Sequence, residues 1–402
     1  MNAICLVIDR LHAGFLGAYG NGWIETPELD RLASESLLLE QALIDTPRLE
    51  TLYRSYWQGW HALAPPPQNR PTLMELLSAA DVKSTLLTDE RLVARHALAL
   101  EFDEIVEIDP SWQPQTAEVI DETQFARCFA LLIDWLHSAH GPFLLWGHLG
   151  SLGMTWDAPP EYRRAYWEPG DPEPSASAEV PDRFLPKDFH PDETWAVSQV
   201  YAGQVSLLDA CIGALLEFLH SSPLGRDTLL VLTSARGLPL GEHRRIGPCD
   251  EAIYGEVVQV PWMMRFPDGR GAAVRSQALV EPSDLCATLL DYWQAPDVPT
   301  APTGASLLCL ASDERSTLRD RMCVAEGSQR AIRTPAWYLR AAEQPELFAK
   351  PGDRWEVNDV ANRCQEVVES LLDAMGLYER TLATGRIGDL PPVNDVLLRG
   401  LD

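Results

Sequence analysis

The chain has 402 residues, 59 of them acidic and 32 basic, for a formal net charge of −27. That balance argues against nucleic acid, whose phosphates need a basic footprint, and against docking on an anionic membrane surface. A chain of this length buries a large core and exceeds one typical domain, so a large domain with a smaller companion is expected.

Strand and helix patterns alternate from the first residues. Apolar runs suited to buried parallel strands cover residues 3–8, 84–87, 143–148, 228–233 and 262–266. Between them, residues 27–38 place Leu29, Leu32, Ala33 and Leu37 on one helical face, with Thr26 as N-cap and Pro27 in the first position. Residues 121–137 and 195–220 are longer amphipathic stretches, and 283–293 is another, with Ser283 as its cap. The alternation predicts an α/β fold, a doubly wound and mostly parallel sheet with helices on both faces. Residues 156–194 break the rhythm, being rich in Pro, acidic and aromatic residues without a period. A loop this long is usually functional or disordered. It follows a core strand, so it should lie over the carboxyl edge of the sheet, as a rigid insertion or as a lid or partner-binding arm. From Met322 short strands (322–325, 329–333, 336–340 and 346–348) precede a helix over 361–375, a pattern for a small antiparallel sheet covered by one helix. The expected domains are 1–310 and 311–402.

Eight scattered cysteines form no C-x-x-C and no Cys/His cluster, and Cys5 and Cys309 lie inside apolar runs. Free buried thiols in a reducing compartment are expected. The first residues enter a core strand without the regions of a signal peptide, and no uninterrupted apolar run nears the ~20 residues that span a bilayer. The expectation is a cytoplasmic protein. No G-x-G-x-x-G or Walker pattern supports a nucleotide site. The group Asp188, His190, Asp192 and Glu193 is read as a solvated face, and Asp209 as a capping or packing residue.

The most informative segment is VLTSARGLPLGEH, from Val231 to His243. It ends a strand in a Ser-Ala-Arg-Gly turn, and strand ends on the carboxyl edge of a parallel sheet are where α/β proteins place ligands. It resembles the VVxTSDHGxxLGEH stretch of the sulfatase family, in the alkaline-phosphatase superfamily. Other segments are similar to that family in order and spacing: IDRLHAGFLGAYG and TPELDRLASES near the start, HLGSLGMTWDAP from His148, YAGQVSLLDACIGALLEFL, VVQVPWMMRFPDG, EPSDLCATLLDYW, PTGASLLCL, AIRTPAWYLR and ELFAKPGDRWEVNDVA. The resemblance covers nearly the whole chain and implies the alkaline-phosphatase/sulfatase-like sheet with a C-terminal antiparallel subdomain.

Sulfatase chemistry needs a nucleophile, a divalent cation and cationic groups around the departing sulfate. The resemblance places these here as departures. The family's metal-binding Asp and following His or Asn read Ala235 and Arg236, and the opening strand keeps Asp9 but continues with Arg10. Counting without gaps from TPELDRLA puts the family's Cys or Ser nucleophile at Leu49 and the Arg of its C-x-P-S-R motif at Tyr53, with Arg54 beside it. No Cys or Ser lies between Glu40 and Arg54. The second His of the family's H-x-x-x-P-H segment falls at Gly153, and its later Lys near Pro248. Asp9, His148 and His243 alone stand at familiar positions. His148 could act as a base, but a strand-end His is more often a core residue.

One carboxylate flanked by two guanidinium groups is a poor cation site, so no metal is expected, with Asp9 the one retained ligand position. Arg10 or Arg236 is expected to fill the metal's space and pair with Asp9, unless both turn to solvent. Three readings follow: an inactive pseudo-sulfatase with a metal-free pocket, which is favoured; a divergent sulfuric- or phosphoric-ester hydrolase, which alone would need calcium or magnesium; and a receptor that holds a sulfated or phosphorylated ligand through Arg10, Arg54 and Arg236. The partners expected are a small anionic ligand or a protein.

Overall fold

The computed structural model describes residues 1–65, 70–110, 115–295, 303–312, 315–384 and 387–400. Pro302, which opens the PTGASLLCL segment, lies outside them. The chain groups into two compact units, the first made of Met1–Leu38, Asp81–Cys249 and Val260–Arg275, the second of Leu39–Ala80, Asp250–Gln259 and Ser276–Asp402. This grouping differs from a single cut after residue 310. The early helix Leu49–Gln58 packs on the helix Pro282–Tyr292, so both fall in the second unit.

Among the described residues ten strands precede the C-terminal sheet: β1 (Asn2–Ile8), β2 (Leu37–Ala42), β3 (Lys83–Thr88), β4 (Glu104–Glu107), β5 (Phe143–Leu149), β6 (Arg183–Phe184), β7 (Thr228–Thr233), β8 (Arg245–Ile246), β9 (Trp262–Arg265) and β10 (Val274–Val280). Eight of them form one sheet in the order β10-β2-β9-β7-β1-β5-β3-β4. The run β7-β1-β5-β3-β4 is parallel. β1, β5 and β7 are buried along their whole length, as their continuous apolar sequences require at the centre of a parallel sheet. The strand at 262–266, expected to be parallel, instead pairs antiparallel to β7.

Several local expectations need correction. The first helix ends at Ser34, and the apolar run after it is strand β2, paired through Leu37 and Leu38 to β9. Thr26 does not cap that helix through its side chain, which accepts from the Gly17 amide instead. Asp209, on the long helix Pro191–Ser221, accepts from the Glu28 and Leu29 amides at 3.2 and 2.8 Å, which places it in the capping role. Ser283 is not a cap either: Glu281 is, in a reciprocal box with Asp284, with Pro282 in the first helical turn.

Residues 156–194 are packed onto the first unit by specific devices. The buried Arg163 guanidinium donates to the carbonyls of Trp156, Ala158, Ser175 and Ser177. A Cβ at Gly203 would lie 2.5 Å from the Tyr162 carbonyl, so only glycine lets the long helix approach this segment so closely. β6 pairs antiparallel with β8, and the Leu185 amide donates to the Arg244 carbonyl. His190 Nδ1 accepts from the Asp192 amide and caps the long helix. Among the described residues this helix alone is long and apolar enough to cross a membrane, and 72% of its most apolar window is buried in the fold.

In the second unit, strands β11 (Met322–Glu326), β12 (Gln329–Arg333), β13 (Trp337–Ala341) and β14 (Glu346–Ala349) form an antiparallel sheet in sequential order. Ile332, Leu339 and Leu347 share a core with Leu371, Tyr378 and Leu382 of the helix Gln365–Ala383. The expected sheet and helix are both present, the helix starting later and running longer than 361–375. All eight cysteines are free thiols.

Candidate functional site

Parallel strands bring their carboxyl ends to one edge, and two of them carry the chemistry here. β1 leads into Asp9, and its neighbour β7 leads into the turn Ser234–Ala235–Arg236. Ser234 Oγ fixes that turn, accepting from the Arg236 and Leu11 amides. The turn aims Arg236 back at Asp9. Nε of Arg236 donates to Oδ1 of Asp9 at 3.1 Å, and Nη2 to Oδ2 at 2.6 Å, a two-point fork. The Arg10 amide donates to the same Oδ1 at 3.1 Å, and Nε of Arg10 stands 3.9 Å from Oδ2. Asp9 and Arg236 are 2% and 6% exposed, so both charges are withdrawn from water. Burial alone would raise the Asp9 carboxyl, but Arg236 and then Arg10 more than offset it and hold the group far below the usual carboxylate range.

Arg10 is fixed just as firmly. Its backbone is left-handed, at φ 67°. Oη of Tyr201 donates to the Arg10 carbonyl at 2.7 Å and accepts from the His12 amide at 2.9 Å, which holds the loop. Nη1 of Arg10 donates to the carbonyls of Cys249 at 3.2 Å and Gly237 at 3.5 Å. On the way its stem crosses Gly153, where an added Cβ would lie 3.0 Å from Cγ of Arg10. That is tighter than the ~3.5–4 Å of an ordinary carbon contact. A side chain at 153 and the Arg10 stem thus compete for one space.

His148 is the next-to-last residue of β5, fully buried beside this pair. Burial lowers its pKa to about 4, with Asp9 opposing and Arg236 reinforcing, so it is neutral at neutral pH. Ala235 is buried, and half-buried His243 lies in the turn Glu242–Arg244 at φ 49°. Thus the first unit gathers Asp9, Arg10, His148, Gly153 and Arg236. The other three positions belong to the second unit. Leu49 is the buried first residue of its helix, and Tyr53 is buried against Trp57 at 4.2 Å between ring centres. Half-buried Arg54 donates through Nη2 to the carbonyls of Ala62 and Ala64.

Two participants escaped the sequence reading. Tyr201 opens the family-like YAGQVSLLDACIGALLEFL segment on the long helix, but nothing local ties it to the Arg10 loop. Asp89 follows strand β3 as Asp9 follows β1, and that shared pattern was available. Its buried carboxylate accepts from the Gly150 amide at 2.7 Å, Ser151 Oγ at 2.9 Å and Gln124 Nε2 at 3.3 Å. Burial raises its pKa against those bonds.

The divalent cation implied by the resemblance does not fit this set. Such an ion wants several oxygen ligands. Both oxygens of Asp9 already receive the Arg236 fork, and a second guanidinium stands beside them. Among the described residues no three His, Cys, Asp or Glu side chains are placed to share a metal ion.

Comparison with known proteins agrees with the fold. An N-acetylglucosamine-6-O-sulfatase of Bacteroides thetaiotaomicron is 28% identical over 217 residues, half of this chain and 38% of that protein. Arylsulfatase K of Rattus norvegicus is 27% identical over 203 residues, 46% of this chain and 35% of that protein. The matches therefore span well under half the length of these relatives. Among solved structures, the phosphonate monoester hydrolase of Agrobacterium radiobacter aligns over 94% of this chain and 95% of its own, with a TM-score of 0.76 and 16% identity. That of Silicibacter pomeroyi aligns over the full length of both, with a TM-score of 0.75 and 17% identity. The sulfatase family model matches residues 1–295, and with this the chain belongs to the sulfatase family.

Proposed function

We propose that this chain is a non-hydrolysing member of its family, in which the Arg236 guanidinium stands where relatives hold a divalent cation. The observation that carries this reading is the buried two-point pair between Asp9 and Arg236. A fixed positive charge satisfies Asp9 without a loaded ion, but it offers no open coordination position to polarise an ester or activate a nucleophile. The alkyl side chain of Leu49, counted at the nucleophile position, offers no attacking atom. The family is normally hydrolytic, and a divergent sulfuric- or phosphoric-ester hydrolase is the competing reading. A receptor for sulfated or phosphorylated ligands is less well supported. Arg236 is committed to a carboxylate, and Arg10 and Arg54 to backbone carbonyls. What remains is a binding or assembly role for a retained fold.

Metal content of the purified protein, followed by aryl-sulfate and aryl-phosphate hydrolysis with added calcium, magnesium or manganese, tests this. The expected result is no stoichiometric metal, and turnover no higher than that of Asp9→Ala. Stoichiometric metal with turnover abolished by Asp9→Ala would establish the hydrolase instead.

A further inference from the structure

Trp23 and Trp195 are each more than a third exposed, an unusual placement for two large aromatic side chains on so charged a molecule. They come from separate parts of the first unit, the loop before the first helix and the first turns of the long helix. Their ring centres lie 4.8 Å apart with planes 37° from parallel. Tyr166, from the 156–194 segment, stands 5.4 Å from Trp23. The group is held in place. Asn21 Oδ1 accepts from the Trp23 amide, Phe15 backs Trp23 edge-on, and Tyr166 Oη bonds to Ser206 Oγ at 2.7 Å.

Acidic residues neighbour these rings along the chain, and the nearby Arg164 and Arg183 are already paired with Glu173 and Glu193. Glu25 lies two residues from Trp23, and its amide donates to Tyr166 Oη at 3.1 Å. Glu168 and Asp171 follow Tyr166, and Asp171 Oδ2 accepts at 2.7 Å from Gln199, one helical turn beyond Trp195. Among the described residues Glu25, Glu168 and Asp171 form no salt bridge, and no cation stacks on Trp23, Trp195 or Tyr166. Exposed aromatic rings whose acidic neighbours in the chain form no salt bridge suit one kind of group, a flat and weakly hydrated cation. A guanidinium fits both features, stacking on indole faces and pairing with carboxylates through its fork, whereas an ammonium is more strongly hydrated.

We infer that this aromatic surface docks an arginine-bearing segment of a protein partner. The inference stands independently of whether the chain hydrolyses esters. The test is saturation-transfer NMR on the whole chain with N-acetyl-arginine methylamide as probe and N-acetyl-glutamine methylamide as control. Transfer to the arginine side chain is expected and none to glutamine. Trp23→Ala and Trp195→Ala should each weaken binding by about threefold or more, and the double variant Glu25→Gln, Asp171→Asn should weaken it while leaving the rings in place. Trp23→Phe, which keeps an aromatic face, should retain most of it. Failure of the arginine probe to receive saturation would overturn the inference. So would undiminished transfer in a natively folded Trp23→Ala, or stronger transfer to neutral methyl glucoside, which would mark a sugar platform.

Discussion

Asp9 and Arg236 are each affordable in the interior only because of the other. Removing one partner of a buried pair strands the other charge, at a typical cost of ~3–5 kcal/mol. Asp9→Asn and Arg236→Gln should therefore each destabilise strongly in urea unfolding, and the double variant should lose less than their sum, by ~1–3 kcal/mol of coupling. Strictly additive losses would show that the pair is a geometric coincidence. His148 gives a separate signature in pH. Its folded pKa of about 4 lies below the ordinary 6.5, so between those values the unfolded chain binds a proton that the folded chain refuses. Stability from this group is complete above about pH 6.5 and falls as pH drops toward 4, by about 3 kcal/mol in all. Asp9 works at lower pH, because its carboxyl is depressed and stays charged until stronger acid. In His148→Leu the fall between pH 6.5 and 4 should flatten. An unchanged pH profile would show that other groups cause it.

At the scale of elements, the 156–194 segment shows how irregular chain becomes fixed. It has little secondary structure of its own, yet Arg163 gathers carbonyls from its start and its middle. Arg163→Met leaves the carbonyls of buried Trp156 and Ala158 without their donor, each costing ~1–3 kcal/mol where water cannot replace it. Limited proteolysis should then cut within 156–194 about tenfold or more faster than in the parent, while the sheet strands stay protected. Equal cleavage rates would mean that contacts other than this fork hold the segment.

At the scale of the whole molecule, the net charge of −27 sets a background of self-repulsion. Salt screens exposed charges far more than buried ones. The melting temperature should rise with sodium chloride from low to moderate concentration, whereas the stability difference between the parent and Asp9→Asn should hardly change. A salt-sensitive difference would place Asp9 in contact with solvent.

The parallel strands were legible because a strand buried on both faces must be largely apolar, as β1, β5 and β7 are. β2 was not, since Leu37 and Leu38 continue the helical spacing of Leu29 and Leu32 and only pairing with β9 decides between the two. β9's direction depends on the path of the chain, which local pattern does not carry. In the site, the pairing of Asp9 with a guanidinium followed from charge. The choice of Arg236 over Arg10 did not, because it depends on the turn at Ser234 and on the room beside Gly153.

That room has a consequence for how this pocket can change over generations. Arg10 lies where a side chain at 153 would begin, and Arg236 sits on the carboxylate that any incoming ion would need. A side chain gained at 153 would press on the Arg10 stem, 3.0 Å from its Cβ, and loss of Arg236 alone would leave Asp9 with only a more distant guanidinium. On the proposed reading each single step toward ion binding is disfavoured by a neighbour that has not yet moved. On that reading the arrangement would work as a ratchet, easier to enter than to leave, and ion binding would require several positions to change together.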